Sequence, residues 1–381
     1  MAKYKLGEIC EIVSGSTPKT GIAEYWDGNL KWITPAEIDD ESYIITDSAR
    51  KLTELGVKKT GLSSFPSGTV ILSSRAPIGK VAIAGCEMYC NQGFKNLICS
   101  DRINNRYLYW FLKGNTAYLN SLGRGATFKE ISKKIVSDIE INVPEISQQL
   151  AAVDALERVS EIIRLRKNQL QKLDELIKAR FVEMFGDDKY SKMPLINLIT
   201  EGAGLSYGIV QPGDSGTGDM GVLRPVDMVN GEISTHSIKY IDRSIGASFK
   251  KTELVGDELL ITVRGTTGVT ALTDSRFKNM NVTRGIAVIR YDRRKINPIY
   301  LNAFLNTDES QQYIQEHTRG ATLQQINLSD LRVHMIPVPP IELQEKLADF
   351  IQQVDKSKVA VQKSLDEAQL LFDSLMQQYF G

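Results

Sequence analysis

Two kinds of hydrophobic pattern alternate along the 381 residues, and each kind occurs twice. The first kind consists of short apolar runs interrupted by Gly, Pro, Ser and Asn, which is typical of strands. Each set of runs is followed by a stretch whose aromatic and leucine spacing predicts a helix with one core-facing side, at 106–115 and at 299–307. The pattern therefore predicts two α+β globules. The strand-like runs are residues 69–75, 80–85, 95–100, 258–264, 268–272 and 286–291.

The second kind of pattern is a long run that starts just after a proline and continues without Gly or Pro. Proline suits the first turn of a helix, and alternating steps of three and four between apolar positions indicate a coiled-coil seam of about four heptads. The alternative is that each helix packs on its own globule. The first seam is formed by Leu156, Val159, Ile163, Leu170, Leu173 and Ile177. The second seam is formed by Ile351, Val354, Val361, Leu365, Phe372 and Leu375.

The two halves of the chain also share sequence. RGATFKEI at 124–131 returns as RGATLQQI at 319–326, an offset of 195 residues. We therefore predict an internal duplication of one globule and one helix. If the helices pair antiparallel, a pseudo-twofold axis relates the copies and the globules lie at opposite ends of a rod. The predicted segments are a globule over 1–143, a long helix over 144–186, a globule over 187–338 and a long helix over 339–381.

Charge and composition narrow the choice of partners. Lys and Arg number 46, as do Asp and Glu, so no overall basic field attracts a polyanion and nucleic-acid binding would depend on local patches. The opening MAKYKLGEIC lacks the apolar core of a signal peptide, and no apolar run is long enough to span a membrane, so we expect a cytoplasmic protein without a membrane partner. The cysteines lack paired zinc-ligand spacing, which favours free thiols. They are Cys10, Cys86, Cys90 and Cys99.

Motifs of catalysis and of cofactor binding are missing from the sequence. The nearest approach to a phosphate-binding loop, SRAPIGKV at 74–81, has Ser74 in place of the first glycine. Spacing does not group His236, His317 and His334 into a metal or nucleophile site, and no S-adenosylmethionine motif is found. We therefore expect no catalytic residue, no metal and no cofactor. Two alike globules on two alike helices instead suit a bipartite target, such as two DNA half-sites.

Composition and motifs leave two other functions open. The first is a coiled-coil scaffold whose globules bind proteins rather than DNA. The second is a self-contained methyltransferase, which the missing cofactor motif disfavours. Binding of S-adenosylmethionine to the isolated chain would revive it.

Several motifs follow in order along the chain, and most of them recur in both halves. They are SGSTPKTG (14–21), KWITPAEI (31–38) with VLRPVDM (222–228), LSSRAPIG (72–79) with ITVRGTTG (261–268), the RGAT boxes and the proline-led helix openings. Taken in this order, they resemble the motifs of specificity subunits of type I restriction-modification systems, over essentially the whole chain. The resemblance implies two target-recognition domains on two long helices in an antiparallel coiled coil. It also implies a non-catalytic subunit that binds double-stranded DNA, on whose helices methyltransferase subunits dock and which restriction subunits join.

Candidate DNA contacts lie mainly in loops that both halves share. Arg75 and Arg264 end a strand before a turn, from which a guanidinium reaches phosphate or the O6 and N7 of guanine; the alternative is a structural pair with a carboxylate. Arg124 and Arg319 lie in the RGAT loops, whose small neighbours let a phosphate approach. The full set is Ser14, Thr17, Lys19, Arg75, Lys80, Arg124, Thr127, Lys129, Tyr207, Gln211, Arg264, Thr266, Arg319, Thr322 and Gln324.

Several of these positions have an equally simple structural interpretation. Lys133 and Lys134, which follow the first RGAT box, suit a merely solvated face. The polar tips of the two Gly-rich loops, at 14–19 and 207–211, suit ordinary turns. The aromatic residues in 106–115 are spaced to point inward, which favours a core over a base-stacking platform. They are Tyr107, Trp110 and Phe111.

Overall fold

The computed structural model describes residues 2–125, 129–186, 189–211, 213, 218–229 and 231–381. The chain forms two compact units: unit 1 comprises Met1–Arg166 with Ser364–Gly381, and unit 2 comprises Lys167–Lys363. Each unit contains one globule of strands and short helices together with parts of two long helices. The long helices are Ile146–Phe185 and Ile341–Phe380. Each of them therefore begins in one unit and ends in the other.

A buried glutamine fixes the first turn of each long helix. Gln149 accepts a hydrogen bond from the backbone N–H of Asn104 at 2.8 Å and donates one to the Pro144 carbonyl at 2.8 Å. In unit 2, Gln344 has the same contacts with the backbone of Asn297 and Pro339, each also at 2.8 Å. Both side chains are fully buried, and each amide ties the start of a long helix to the backbone that precedes a short helix of its globule.

Unit 1 is built around a five-stranded sheet in which Val70–Leu72 is the central strand. Its pairings are antiparallel except for the last, between Val81–Ala84 and Ile44–Ile45, which is parallel. In spatial order its strands are Cys10–Val13, Asn96–Cys99, Val70–Leu72, Val81–Ala84 and Ile44–Ile45. A three-stranded sheet contains Arg50–Leu52, Trp26–Ile33 and Tyr89–Cys90, and a two-stranded sheet contains Ala2–Lys5 and Glu140–Val143. The short helices are Leu6–Ile9, Ala23–Tyr25, Pro35–Glu37, Glu54–Thr60, Asn105–Gly114, Thr116–Ser121 and Lys133–Ser137.

The core of unit 1 joins the helix Asn105–Gly114 to the C-terminal end of the second long helix. Tyr107, Trp110 and Phe111 are buried, as their spacing predicts. The ring of Phe372 lies 5.6 Å from that of Trp110, and the ring of Phe380 lies 4.9 Å from that of Tyr107. The C-terminal segment therefore covers aromatic residues that lie more than 250 positions earlier in the chain.

Unit 2 contains a four-stranded antiparallel sheet with Leu259–Thr262 and Ile286–Ile289 at its centre. Its strands in spatial order are Ser206–Tyr207, Ile286–Ile289, Leu259–Thr262 and Thr270–Leu272. A three-stranded sheet contains Lys239–Ile241, Met220–Leu223 and Asn281–Val282. The strand pairs are Lys192–Pro194 with Met335–Pro337, Met228–Val229 with Glu232–Ile233, and Thr318–Arg319 with Gln325–Ile326. The short helices are Leu195–Leu198, Pro225–Asp227, Arg243–Gly246, Ala247–Thr252, Ser275–Phe277, Pro298–Leu305, Asp308–Glu316 and Leu328–Arg332.

The core of unit 2 uses the end of the first long helix in the same manner. The rings of Phe181 and Phe185 lie 5.6 Å and 5.1 Å from that of Tyr300, on the helix Pro298–Leu305. Both phenylalanines are buried in the main hydrophobic cluster of the unit. Helices and sheets are mixed in both units, in agreement with the predicted α+β class. Within the described ranges, no helix combines the length and the apolarity that a membrane span requires.

A buried histidine in unit 2 is held in an environment that favours its neutral form. His334 is 3% exposed, its Nε2 atom lies 2.8 Å from Ser310 Oγ, and its ring stacks on Tyr313 at 4.1 Å. Burial, with smaller contributions from His317 and Lys192, lowers the pKa of His334 to about 4. The folded state therefore holds this imidazole neutral, while the unfolded chain takes up a proton near the ordinary pKa of histidine.

We expect the free energy of unfolding of unit 2 to fall as the pH drops from above 6.5 towards 4, because the unfolded state then binds one more proton. The loss at pH 5 should be about 2 kcal/mol. This loss is measured by urea titrations at pH 7 and pH 5 in which unfolding is monitored through amide hydrogen exchange in Pro298–Leu305. His334→Asn should remove most of this pH dependence, whereas His236→Asn, at an exposed position, should leave it unchanged. Equal pH dependence in the two variants would contradict the prediction.

Candidate nucleic-acid interface

In unit 1, the strand end at Arg75 lies against the hairpin that carries the first RGAT box. Arg75 and Arg124 each form an isolated antiparallel bridge with Glu130. The N–H of Ala76 also donates to the carbonyl of Lys129 at 3.3 Å. The structure thus brings Arg75, Arg124 and Lys129 together, and the side chains of Arg124 and Lys129 are exposed. The predicted residue Thr127 lies outside the described residues.

Glu130 partly neutralises the cationic side chains around it. Its carboxylate accepts hydrogen bonds from Arg75 Nε at 2.8 Å and from Lys95 Nζ at 3.3 Å. Partial burial opposes ionisation of Glu130, but these two hydrogen bonds and the adjacent charges outweigh it and hold its pKa below the usual range. Lys95 is a buried lysine, so Glu130 supplies the countercharge that its ammonium requires. Arg75 therefore pairs with a carboxylate through its Nε atom, which is the structural alternative that the sequence left open for this residue.

The corresponding hairpin of unit 2 has the same backbone pairing without the carboxylate. Arg264 forms an isolated bridge with Gln325, which also pairs with Arg319, and Gly265 N–H donates to the Gln324 carbonyl at 2.9 Å. Gln325 thus occupies the place of Glu130. Ala287 lies opposite Ile261 in the sheet of unit 2, and Lys95 lies opposite Leu72 in the sheet of unit 1, so Ala287 takes the position of the buried lysine. Unit 2 therefore has uncharged residues at the positions of both Lys95 and Glu130.

The arginines of unit 2 are consequently less neutralised than Arg75. Within the part of the chain that the structure describes, the Arg264 guanidinium has no ion pair and no side-chain hydrogen bond. Arg319 is exposed and lies 4.0 Å from Asp330, the limit of an ion pair. Thr266, Thr322 and Gln324 are exposed beside them. This end of unit 2 therefore presents positive charge and polar groups to solvent.

The first predicted loop of unit 1 is fastened to the globule by its backbone. A methyl group on Gly15 would lie 1.9 Å from the Cys90 carbonyl oxygen, so only glycine allows this approach. The indole N–H groups of Trp32 and Trp26 donate to the carbonyls of Ser16 and Lys19 at 3.1 Å and 3.3 Å. The side chains of Ser14 and Lys19 are exposed, while the Thr17 hydroxyl donates to the amide oxygen of Gln92.

The equivalent loop of unit 2 makes the same close approach. A methyl group on Gly208 would lie 1.8 Å from the Val282 carbonyl oxygen. Tyr207, which precedes it, is about half exposed at 49%, and Gln211 is exposed. Both predicted residues of this loop therefore present their side chains to solvent.

A groove of about 430 Å³ in unit 1 connects several of the predicted motifs. It lies between the TPA segment of the second motif, the Arg75 turn and the turn Asn91–Gly93. Lys80 lines it but is only partly exposed, and its Nζ donates to the Pro35 carbonyl at 3.1 Å. A second cavity of about 450 Å³ lies beside Arg124 and Lys134. The groove residues are Thr34, Pro35, Ala36, Arg75, Ala76, Pro77, Lys80, Asn91, Gln92 and Gly93.

Sequence reasoning missed one exposed side chain in each unit, Gln92 in unit 1 and Arg284 in unit 2. Each immediately precedes a glycine, Gly93 or Gly285, and the two glycines occupy matching positions in the halves of the chain at an offset of 192. That offset was the only signal in the sequence, because neither residue belongs to a recognisable motif.

The predicted seam positions on the long helices are buried or half-buried. In unit 1, Val159 and Ile163 pack with Ala368 and, less deeply, with Leu365 and Phe372. In unit 2, Lys358 on the second long helix donates to Asp174 on the first at 2.8 Å. The buried seam residues are Leu156, Val159, Ile163, Ile351, Val354 and Val361. The half-buried ones are Leu170, Leu173, Ile177, Leu365, Phe372 and Leu375.

Sequence comparisons find relatives for both halves of the chain. A family profile described as the type I restriction modification DNA specificity domain matches residues 1–175 and 215–368. The chain belongs to this family. The type I restriction enzyme MjaIX specificity subunit of Methanocaldococcus jannaschii is 38% identical over 186 residues, 48% of this chain and 43% of that protein. The EcoBI specificity subunit of Escherichia coli is 23% identical over 305 residues, 73% of this chain and 64% of that protein.

These matches span less than two thirds of the length of either relative. Solved structures extend the likeness in fold to the whole chain. A chain from a study of complex assembly and conformational transition of the type I R-M system has a TM-score of 0.59 at 18% identity, covering 100% of this chain and 97% of that one. The type I S subunit from M. genitalium has a TM-score of 0.55 at 13% identity, covering 100% and 96%. The predicted resemblance to type I specificity subunits is thus confirmed.

Proposed function

We propose that this member of the specificity family is a non-catalytic subunit that recognises a bipartite DNA target, with one half-site for each unit. The observation that carries the proposal is the matching pair of hairpins. In each unit an RGAT box lies against a strand end with an arginine, Arg75 or Arg264. Exposed Arg and Lys side chains lie at this place in unit 1, and exposed Arg, Gln and Thr side chains lie at it in unit 2. These are groups that bind phosphate and base edges.

The proposal includes the internal duplication, the predicted segments and the antiparallel coiled coil. The shared anchors of Gln149 and Gln344 and the matching phenylalanine contacts support a duplication. Packing of Ile163 with Ala368, and the ion pair of Asp174 with Lys358, support helices that run in opposite directions. We further propose that methyltransferase subunits dock on this helical pair and that restriction subunits complete the assembly.

The proposal is tested by purifying the chain from its native host together with the proteins that bind it. Methylated bases are then mapped on the genomic DNA of that host. A motif split by unspecified bases is the expected result. A complex that contains no methyltransferase and modifies no motif would favour the protein-binding scaffold instead.

Charge neutralisation predicts how single arginines contribute to DNA binding. Arg264→Ala should weaken binding and reduce the slope of log affinity against log salt by about one, because one phosphate contact is lost. Arg75→Ala should reduce the slope by less, since Glu130 already pairs with Arg75. Arg294→Ala is the matched control, because this exposed arginine pairs with Asp292 at 2.8 Å. Salt titrations of duplex binding that give Arg264→Ala the same slope as wild type would argue against a phosphate contact.

A further inference from the structure

Equivalent turns in the two units place two different side chains at one position. In unit 1 the N–H of Asn91 donates to the Ile33 carbonyl at 3.2 Å, and the Gly93 carbonyl accepts from Ser74 at 2.7 Å. In unit 2 the N–H of Thr283 donates to the Leu223 carbonyl at 2.9 Å, and the Gly285 carbonyl accepts from Val263 at 2.8 Å. The middle residue of the turn is Gln92 in unit 1 and Arg284 in unit 2.

The glycine after each middle residue holds the turn close to a proline. A methyl group on Gly93 would lie 3.1 Å from Pro35 Cγ, and one on Gly285 would lie 2.6 Å from Pro225 Cγ. The backbone is therefore fixed on both sides of the middle residue. Gln92 and Arg284 are nevertheless exposed, so two rigid turns present their side chains to solvent.

Each side chain lies beside groups that the proposed function already uses. Gln92 lines the groove with Arg75. Its amide oxygen accepts the Thr17 hydroxyl with one of its two lone pairs, which leaves the other lone pair and the amide NH₂ to pair with a base. The backbone N–H of Arg284 donates to the Ile209 carbonyl at 2.9 Å, between the predicted residues Tyr207 and Gln211. Within the described residues the guanidinium of Arg284 has no carboxylate partner and no side-chain hydrogen bond.

We propose that Gln92 and Arg284 are the specificity-determining residues of this turn, and that they read different bases. A glutamine amide pairs with the N6 and N7 atoms of adenine, whereas a guanidinium pairs with the O6 and N7 atoms of guanine. Gln92 therefore selects adenine at one position of the half-site bound by unit 1. Arg284 selects guanine at the matching position of the half-site bound by unit 2. This inference rests on the proposed recognition of a bipartite DNA target.

The test exchanges the two side chains in the full chain, tagged in its native host and purified with the subunits that it carries. Wild type, Gln92→Arg and Arg284→Gln each select duplexes from a randomised double-stranded DNA library. Gln92→Arg should change one position from adenine to guanine by about tenfold or more in preference, and should leave the other half-site unchanged. Arg284→Gln should make the opposite change in the other half-site.

Gln92→Ala provides a second measurement, because it removes the amide without adding a new donor. It should lower the preference for adenine at that position and introduce no preference for guanine. If wild type selects a split motif that all three variants also select, the inference is wrong and the proposed function stands. If wild type selects no motif at all, the proposed function fails and the inference fails with it.

Discussion

Phe372→Asp is expected to lower the free energy of unfolding of unit 1 by about 4 kcal/mol, because it replaces a half-buried ring that packs against the core with a charge. Phe372 lies in the second long helix, yet its ring packs on Trp110 of the first globule. The loss of stability should therefore be detected in a segment of the first globule that is distant from Phe372 in sequence. Amide hydrogen exchange in the helix Asn105–Gly114 should accelerate by several orders of magnitude.

Leu370→Asp is the matched control for this variant. It introduces the same carboxylate two residues away on the same helix, but Leu370 is 70% exposed. Its effect on stability should stay within about 0.5 kcal/mol. If Phe372→Asp leaves exchange in Asn105–Gly114 as slow as Leu370→Asp does, the C-terminal segment does not stabilise unit 1.

Glu130→Gln is expected to destabilise unit 1 by about 3 kcal/mol, because it leaves the buried ammonium of Lys95 without its countercharge. Adding Lys95→Ala should recover most of this loss. The double variant reproduces the uncharged pair, Ala287 and Gln325, that unit 2 has at the same places. Urea-induced unfolding of the wild type, both single variants and the double variant gives the coupling energy directly.

Glu140→Gln controls for the removal of a carboxylate as such. Glu140 pairs with Lys3 at 2.6 Å, but both side chains are at least half exposed, so this variant should cost less than about 1 kcal/mol. A Glu130→Gln variant as stable as Glu140→Gln would mean that water reaches Lys95 well enough to replace the carboxylate.

Periodicity was sufficient to predict the regular elements of the globules. The runs at 69–75 and 258–264 contain the strands Val70–Leu72 and Leu259–Thr262, and the helix predicted at 106–115 is observed at Asn105–Gly114. These elements are buried on the side that their spacing indicates, because the hydrophobic pattern itself sets which side faces the core.

The contacts between distant segments could not be predicted in this way. Phe372 had the spacing of a helical seam, but spacing does not say which globule receives it, and Phe380 lies outside the predicted seam. The pairing of Lys95 with Glu130 depends on strand register and on a hairpin between distant residues. Lys95 begins the strand-like run 95–100, and a lysine at the start of such a run gives no sign that it is buried. Gln92 and Arg284 have no local signature beyond the glycine that follows each of them, and matching backbone hydrogen bonds were needed to show that the two positions are equivalent.

All three tryptophans of the chain, Trp26, Trp32 and Trp110, lie in unit 1. Their intrinsic fluorescence therefore reports on unit 1 alone, and a label-free emission change during titration with a duplex can be assigned to one of the two units. Trp26 and Trp32 donate their indole N–H groups to the loop at Ser16 and Lys19, so movement of that loop alters the polarity around two of the three fluorophores. An oligonucleotide that carries only the unit 2 half-site should leave this emission unchanged.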